Sequence, residues 1–260
     1  MKIATWNVNS IRARLDRLRA WLEKAQPDVV CLQELKVTEA AFPYDAVQEV
    51  GYHAAVYGQK TYNGVAILSR VEASDVHRGM DDGVEDPQAR FLAARVGAIH
   101  VISAYIPNGQ MVGSAPYAYK LDWLRRLRTF LERHFTPATP LVLCGDFNVA
   151  RDERDVAEPA AWEETVLFHP SSRTALEELL GWGLVDIHRR QHPEGRFYSW
   201  WDYRMLAFPK NNGLRLDYIF ATQPLAARCT AAEIDHQERK GEKPSDHAPV
   251  IAVLGDSIPS

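Results

Sequence analysis

The sequence has little cysteine and lacks any long apolar segment. Its 260 residues include three cysteines, Cys31, Cys144 and Cys229, which are odd in number and widely spaced. This usage predicts buried thiols in a reducing cytoplasm. No window approaches roughly 18 uncharged apolar residues, so no membrane-spanning helix is expected. The segment MKIATWNVNS also lacks the apolar core of a secretory signal, and we expect a cytoplasmic protein.

The sequence also lacks an excess of basic residues. Its 30 Lys and Arg against 34 Asp and Glu give a net charge of −4, which by itself argues weakly against a nucleic-acid partner. Net charge is a poor guide when carboxylates are gathered for a metal, because the distribution of the basic residues then matters more. Internal repeats, low-complexity segments and flexible linkers are lacking as well. We therefore predict a single domain over residues 1–260.

Hydrophobic periodicity predicts an α/β protein in which strands outnumber helices. The predicted strands cover residues 3–6, 29–32, 64–68, 91–96, 100–106, 141–144, 216–221 and 250–254. The predicted amphipathic helices cover residues 12–25, 117–135 and 174–180, the first with Ser10 as its N-cap. This pattern favours packed sheets flanked by helices. Arg12, Arg14, Arg17 and Arg19 are interpreted as a solvated helix face.

Polar side chains that can bind metal or phosphate stand at or near the ends of the predicted strands. They are Asn7, Glu34, Tyr105, Asp146, Asn148, Asp217, Asp246 and His247. Taken singly, each has an ordinary explanation, such as a solvated strand end for Glu34 or an Asx-turn at Asp146. Polar groups carried to strand ends usually meet in one place, so together they predict a shared site.

The chemistry of this set favours a hard cation. Carboxylate and amide oxygens, with one histidine and no cysteine, suit Mg²⁺ or Mn²⁺ better than structural zinc. Such a cation can polarise a phosphoryl oxygen and stabilise a leaving oxyanion. A histidine beside an aspartate can be held in one tautomer and stabilised when charged. Spacing alone does not show which aspartate would pair with His247.

Eight segments of the sequence follow the order found in a known family. They are WNVNSIRAR, PDVVCLQELK, GVAILSR, YIPNG, GDFNV, YSWWDYR, GLRLDYIFA and EKPSDHAPV. With them the chain resembles the exonuclease III class of apurinic/apyrimidinic endonucleases, part of the endonuclease/exonuclease/phosphatase superfamily that includes deoxyribonuclease I. The likeness extends from Lys2 to about Leu254. YSWWDYR and LRLDYI are the segments most diagnostic of the abasic-site branch.

The resemblance implies both a fold and an activity. The fold would be a deoxyribonuclease I-like four-layer α/β sandwich, with two central, mostly antiparallel sheets flanked by helices. The activity would be that of a Mg²⁺-dependent DNA repair nuclease, for which Mn²⁺ can substitute. It would cleave double-stranded DNA 5′ to abasic sites and remove nucleotides or blocking groups from 3′ ends, in base excision repair. We expect a monomer without a membrane partner.

The resemblance also implies roles for the polar residues at the strand ends. Asn7, Glu34 and Asp246 match the metal-site positions of the family. Asp146 matches the residue that orients or deprotonates the attacking water, and Asn148 lies beside it.

Three further positions match family residues that act at the scissile phosphate. His247 matches the histidine that contacts it, Asp217 the residue that holds this histidine, and Tyr105 a tyrosine placed nearby. A pocket for the baseless sugar is implied at Trp200, Leu214 and Leu216.

Two features depart from the wider family and bear on substrate preference. Residues 108–119 contain no Lys or Arg, although related enzymes often place a cation there to grip the DNA backbone. Leu214 stands where many eukaryotic relatives have Trp, whereas bacterial exonuclease III-like proteins also use Leu.

Two alternatives stay open at the level of sequence. One is a superfamily phosphodiesterase or phosphatase that acts on RNA or on a phosphoester outside nucleic acids. The other is a catalytically silent DNA-binding relative, which would require the loss of a catalytic position, and every such position is present.

Overall fold

The computed structural model describes residues 1–255, and within this range the chain forms twelve strands and seven α-helices. The strands are β1 (Lys2–Asn7), β2 (Val29–Gln33), β3 (His53–Tyr57), β4 (Val65–Ser69), β5 (Ser74–Arg78), β6 (Phe91–Val96), β7 (Ile99–Tyr105), β8 (Leu141–Asp146), β9 (Leu184–Asp186), β10 (Asp217–Thr222), β11 (Cys229–Ile234) and β12 (Val250–Leu254). The α-helices are α1 (Ile11–Ala25), α2 (Tyr44–Gln48), α3 (Ala115–His134), α4 (Pro159–Trp162), α5 (Pro170–Leu180), α6 (Ile187–Gln191) and α7 (Gln223–Ala226). Short 3₁₀ helices cover Glu39–Ala41, Glu153–Asp155 and His236–Arg239.

The strands of residues 1–255 form two six-stranded sheets. Their orders are β11-β12-β1-β2-β4-β3 and β5-β6-β7-β8-β10-β9. Neighbouring strands are antiparallel except for the pairs β1–β2 and β7–β8, which are parallel. One apolar cluster joins residues of both sheets, a second lies between the second sheet and helices α3 and α5, and a third lies beneath α1. The predicted four-layer sandwich is confirmed.

The four strands that periodicity did not predict are the four edge strands, β3, β5, β9 and β11. Each of the eight predicted strands lies inside a sheet. An inner strand of a covered sheet is apolar on both faces and stands out in the sequence. An edge strand is short, twisted or partly solvated, and β5 has no fully buried residue. The edge strands therefore lack the apolar pattern by which the inner strands were predicted.

The three predicted helices exist, but two of them begin earlier than predicted. Helix α3 starts at Ala115 and α5 at Pro170, each with a proline in its first turn. Proline fits there because the first turn needs no backbone N–H donor. Ser10 caps α1 by accepting a hydrogen bond from the amide of Ala13, as predicted.

Strand direction brings the polar residues to one end of the two sheets. The parallel strands β1 and β2 both end there, with Asn7 opposite Gln33 and Glu34 just beyond it. In the second sheet, Tyr105 lies opposite Asp146 at the ends of β7 and β8. Because β10 is antiparallel to β8, it begins there with Asp217.

Three general expectations can be compared with the described residues. Cys31, Cys144 and Cys229 are free and buried, as predicted. Within residues 1–255, every helix is too short or too polar to cross a bilayer. The predicted domain extends to residue 260, and residues 256–260 lie outside the described range. The single domain, the cytoplasmic location and the monomeric state stay predictions.

Candidate active site

Four side chains meet where β1, β2, β7 and β8 end, and we call Asn7, Glu34, Tyr105 and Asp146 the carboxylate cluster. The amide nitrogen of Asn7 donates to Glu34 Oε1 and to Asp146 Oδ2, each at 2.9 Å. The Tyr105 hydroxyl donates to the same Glu34 oxygen at 2.8 Å. Two carboxylates from different sheets are therefore linked through one buried amide.

The loops after these strands adopt left-handed backbone conformations. Asn9, Glu34 and Asn148 have φ values of 44°, 54° and 49°. Asparagine tolerates this region better than most residues, whereas glutamate rarely occupies it. Non-glycine residues persist there only where the surroundings hold them, and such positions concentrate at functional sites. The conformation turns Glu34 back over the strand end, where Asn7 and Tyr105 contact it.

The two carboxylates of the cluster have opposite pKa shifts. Burial acts to raise the pKa of Glu34, but the hydrogen bond from Asn7 and the charge of Lys36 outweigh it, so the pKa lies below its usual value. Burial raises the pKa of Asp146, and the positive charge of His247 opposes this rise. Glu34 is thus a permanent anion, whereas Asp146 is a carboxylate that can take up a proton near neutral pH.

His247 is a buried cation held between two aspartates. Its Nδ1 lies 2.8 Å from Asp217 Oδ2, and its Nε2 lies 3.6 Å from Asp146 Oδ2. Burial acts to lower the pKa of His247, but the charges of Asp217 and Asp146 raise it to about 10. Asp217 is fixed in turn by the Ser199 hydroxyl, which donates to Oδ2 at 2.7 Å. The predicted pairing partner of His247 is therefore present, and the imidazolium can donate a hydrogen bond to an anion.

Asp246 stands on the same short loop but faces different neighbours. Its Oδ1 accepts from Asn9 at 3.0 Å, and its Oδ2 accepts from the indole N–H of Trp200 at 3.0 Å. Burial acts to raise the pKa of Asp246, but the charge of His247 and these hydrogen bonds lower it below its usual value. The backbone N–H of Asn9 also donates a hydrogen bond to Asn7 Oδ1 at 3.0 Å. A continuous set of hydrogen bonds thus connects Glu34 with Asp246 through Asn7 and Asn9.

A divalent cation fits the chemistry of this arrangement. Among residues 1–255, Glu34, Asp146 and His247 form the one group of acidic, histidine or cysteine side chains whose ligand atoms lie within 4.8 Å of one another. A protonated His247 has no lone pair for a metal, so the oxygens of Glu34 and Asp146 are the available ligands. The half-buried carboxylate of Glu34 and the buried carboxylate of Asp146 lie close together, and a cation beside them would offset their negative charge.

The metal ligands expected from the sequence are placed unequally. Glu34 belongs to the close group, whereas Asp246 lies outside it. Asn7 presents its amide nitrogen to the two carboxylates, while its oxygen accepts from Asn9. The assignment of Asn7, Glu34 and Asp246 to the metal stays a prediction, with Asp146 as an additional oxygen donor at the same place.

The residues predicted to line a sugar pocket are also placed unequally. Trp200 is half-buried and borders a cavity of about 410 Å³, which it shares with Trp162, Met205 and other residues. Leu214 and Leu216 are completely buried in the apolar cluster on which Trp162 and Trp200 pack. The leucines therefore support the tryptophan from behind, and the role of all three in substrate binding stays a prediction.

Several residues of the site were not predicted from the sequence. Asn9 and Ser199 orient Asp246 and Asp217, and Lys36 forms an ion pair with Glu34 at 3.0 Å. Asn9 and Asp246, like Ser199 and Asp217, are far apart in sequence, so no local pattern predicts their contacts. Asn9, Lys36 and Ser199 nevertheless lie in the segments WNVNSIRAR, PDVVCLQELK and YSWWDYR, on which the family resemblance rests.

The interpretation of the α1 arginines as a solvated face is wrong for Arg14 and Arg17. Arg14 donates to the carbonyls of Asn9 and Pro244 at 2.6 and 3.0 Å and to the Tyr203 hydroxyl at 3.0 Å. Arg17 donates to backbone carbonyls and a carboxylate within residues 238–242. The two arginines hold the chain that leads to Asp246. Arg12 is exposed, as expected.

The start of β10 is fixed by a buried ion cluster. The Arg215 guanidinium donates to both oxygens of Asp155 and of Asp186, at 2.8 to 3.0 Å. Arg189 donates to Asp155 at 2.6 Å. Removing one partner of such a cluster leaves an uncompensated charge in the interior and is strongly destabilising. The cluster holds the strand two residues before Asp217.

Comparisons with known proteins agree with this geometry. A family model described as "Endonuclease/Exonuclease/phosphatase family" matches residues 4–247. Exodeoxyribonuclease III of Haemophilus influenzae is 36% identical, with 97% of this chain and 99% of the relative covered. The structure of an AP endonuclease from Archaeoglobus fulgidus is 42% identical and has a TM-score of 0.95, with 98% and 99% covered. A 3′ phosphatase from Neisseria, solved with a product DNA hairpin, is 41% identical and has a TM-score of 0.94, with 98% and 99% covered.

Proposed function

The chain belongs to the endonuclease/exonuclease/phosphatase family, and we propose that it is a Mg²⁺-dependent DNA repair nuclease. It cleaves the phosphodiester 5′ to abasic sites and removes nucleotides or blocking groups from the 3′ ends of duplex DNA. The observation that carries this proposal is the buried Asp146–His247–Asp217 set beside Glu34. Full-length relatives named exodeoxyribonuclease III and AP endonuclease support the same activity.

Two buried residues, Asp146 and His247, have different roles in the hydrolysis. Asp146 is the group that accepts a proton from the attacking water, because its raised pKa lets it take up a proton near neutral pH. The water oxygen then attacks phosphorus, the bond to the 3′ oxygen breaks, and that oxygen takes up a proton from solvent to become the 3′ hydroxyl. His247 is already protonated and donates a hydrogen bond to a phosphoryl oxygen as negative charge builds there.

Three further residues orient this pair and keep its charges in place. Asp217 holds the Nδ1 side of His247, so that Nε2 points toward Asp146 and the space in front of it. The backbone N–H of Asn148 donates to Asp146 Oδ1 at 2.9 Å, which fixes the carboxylate oxygen that does not face His247. Burial raises the pKa of Tyr105 well above its usual value, so its hydroxyl stays protonated beside Glu34 and the phosphate.

Glu34, with Asp246 and Asn7, is the proposed cation site. The low pKa values of both carboxyl groups keep them ionised, which a hard cation requires of its ligands. Bound Mg²⁺ supplies charge that stabilises the phosphoryl and leaving oxygens. Mn²⁺ takes the same oxygen ligands and is expected to substitute.

A panel of labelled duplexes tests the proposal. The wild-type protein should cut a duplex with a tetrahydrofuran abasic analogue, and it should also trim a recessed 3′ end and remove a 3′ phosphate. An undamaged duplex with blocked 3′ ends and a single-stranded RNA of the same sequence serve as controls. Faster cleavage of the RNA than of any DNA substrate, or no cleavage of the DNA set, would show that the proposed function is wrong.

A second prediction concerns the sugar pocket. A baseless sugar is small and leaves the helix at lower cost than a paired nucleotide, so a narrower pocket should favour it. Leu214→Trp adds volume behind Trp200, and we expect the ratio of abasic cleavage to 3′-end trimming to rise. Leu180→Trp, in the separate apolar cluster beneath α5, is the control for overpacking alone. A proportional change in both activities, or a change in Tm alone, would show that Leu214 has no part in substrate choice.

A further inference from the structure

Lys120 is a lysine of helix α3 that is completely buried, with 0% of its surface exposed. Its ammonium donates to three backbone carbonyls, those of Asn148 at 2.6 Å, Val166 at 2.7 Å and Asn108 at 3.1 Å. All three N–H donors of the ammonium are therefore used. A buried lysine is uncommon unless it is paired, and here it is paired with backbone oxygens alone.

Two of the three carbonyls that Lys120 binds belong to the loops that frame the site. Asn108 follows β7, and Asn148 follows β8, so the two loops leave adjacent parallel strands. The side-chain amide of Asn108 donates to Asn148 Oδ1 at 3.4 Å. Asn148 also donates its own side-chain amide to the carbonyl of Ile106 at 3.0 Å. Lys120 is the point at which both loops are tied to α3.

The peptide groups at Asn148 connect Lys120 with Asp146. On one side the Asn148 amide N–H donates to Asp146 Oδ1 at 2.9 Å, and on the other its carbonyl accepts from Lys120. Asn148 is left-handed at φ 49°, a conformation that needs such fixed partners. Burial lowers the pKa of Lys120 to about 7, while the negative charge of Asp146 opposes that shift. The lysine thus acts on Asp146 through the geometry of the Asn148 backbone.

We propose that Lys120 is a positioning residue that fixes the Asn108 and Asn148 loops and, through the Asn148 backbone, sets the orientation of the Asp146 carboxylate. The inference rests on the proposed function, because it assigns Lys120 to the hydrolysis in which Asp146 takes up a proton. It also concerns residues 108–119, which contain no Lys or Arg. The loop is held from the protein interior by the residue that follows it.

Gly109 shows how closely the loop and the lysine are packed. It has a φ of 94°, and a Cβ atom there would lie 3.0 Å from Lys120 Cδ and 3.2 Å from Tyr117 Cδ2. Gly109→Ala would therefore strain the backbone and press on the lysine stem without removing the charge. It is a second way to disturb the same contact.

The test compares Lys120→Met with Lys120→Arg and with a matched control on the same helix. Arg126→Met is that control, because Arg126 is a buried cation of α3 that ties the Asp82 and Asp86 loop at 2.6 and 3.1 Å, on a different loop from that of Asp146. The readouts are kcat and KM on the abasic duplex, together with Tm. We expect Lys120→Met to lower kcat about 10- to 100-fold with KM within about twofold, since a small misplacement of a reacting group has effects of this size.

The controls separate positioning from simple destabilisation. Arg126→Met should lower Tm and leave kcat within about twofold, and Lys120→Arg should recover part of the lost kcat because it keeps the charge. The loss in Lys120→Met should also be non-additive with that in Asn148→Ala, since alanine strains the left-handed backbone and removes the side-chain bonds that fix the carbonyl bound by Lys120. Unchanged kcat in Lys120→Met, or fully multiplicative losses in the double variant, would overturn the inference.

Two outcomes outside this scheme are also decisive. If Lys120→Met does not fold, Gly109→Ala takes its place, and a kcat loss with constant KM supports the inference, whereas an unchanged kcat overturns it. If the wild-type protein does not cut the abasic duplex, the proposed function is wrong. The same kcat and KM comparison is then made with whichever phosphoester of the panel it hydrolyses, so the two failures stay distinguishable.

Discussion

Asp146→Asn should lower the single-turnover rate of abasic-site cleavage by about 10²- to 10⁴-fold, the usual range for loss of a general base. The substitution keeps the shape of the side chain but removes the negative charge that accepts the proton. The one side-chain oxygen of asparagine can still accept from the backbone N–H of Asn148, so the loop should keep its conformation, whereas the bond that Asn7 donates to the second oxygen of Asp146 is lost. Single-turnover kinetics is the proper measurement, because it reports the chemical step without product release.

The same experiment needs a matched aspartate away from the carboxylate cluster. Asp235 is suitable, since its Oδ2 accepts from the Trp21 indole at 3.1 Å and it has no contact with the cluster among the described residues. Asp235→Asn should leave the rate within a few-fold, and both variants should retain most of the wild-type Tm. A rate for Asp146→Asn close to that of the wild type would remove Asp146 as the base.

The strands that could be predicted from the sequence are those whose burial requires a continuous run of apolar residues. Inner strands such as β2 and β8 are buried along their whole length, and periodicity found every strand of this kind. The edge strands β5 and β9 have little to bury or are three residues long, so their sequences resemble loops. Their pairing is decided by the neighbouring strand, which no local pattern describes.

The site was predictable for a different reason. Each proposed catalytic residue follows or begins an apolar strand, so its position was visible even though its partners were not. The pairing of His247 with Asp217 depends on contacts between residues 30 apart in sequence, and only the resemblance suggested it. Lys120 lacked any signal, because it lies on a helix and its partners are backbone carbonyls of distant loops, whereas Ser199 lay in the YSWWDYR segment but its contact with Asp217 could not be predicted. The residues that orient the catalytic side chains can thus be identified only from the structure.

Removal of divalent metal should abolish cleavage altogether, which is the largest effect we expect. The proposed ligands Glu34 and Asp246 are ionised carboxylates, and a hard cation prefers such oxygens. EDTA should reduce cleavage to background, and excess Mg²⁺ or Mn²⁺ should restore it. Circular dichroism in EDTA controls for unfolding, since the three apolar clusters contain neither Glu34 nor Asp246.

Glu34→Gln locates the cation within the site. It keeps the size of the side chain and a hydrogen-bond acceptor for Tyr105, but it removes the charge, so the Mg²⁺ concentration for half-maximal rate should rise about 10-fold or more. Glu39→Gln is the matched control, because Glu39 is an exposed glutamate whose partner is Arg78. Full activity in EDTA would contradict metal dependence itself. An unchanged Mg²⁺ requirement in Glu34→Gln would instead leave metal dependence intact and remove Glu34 from the ligands, because a carboxylate that binds the ion cannot lose its charge without weakening that binding.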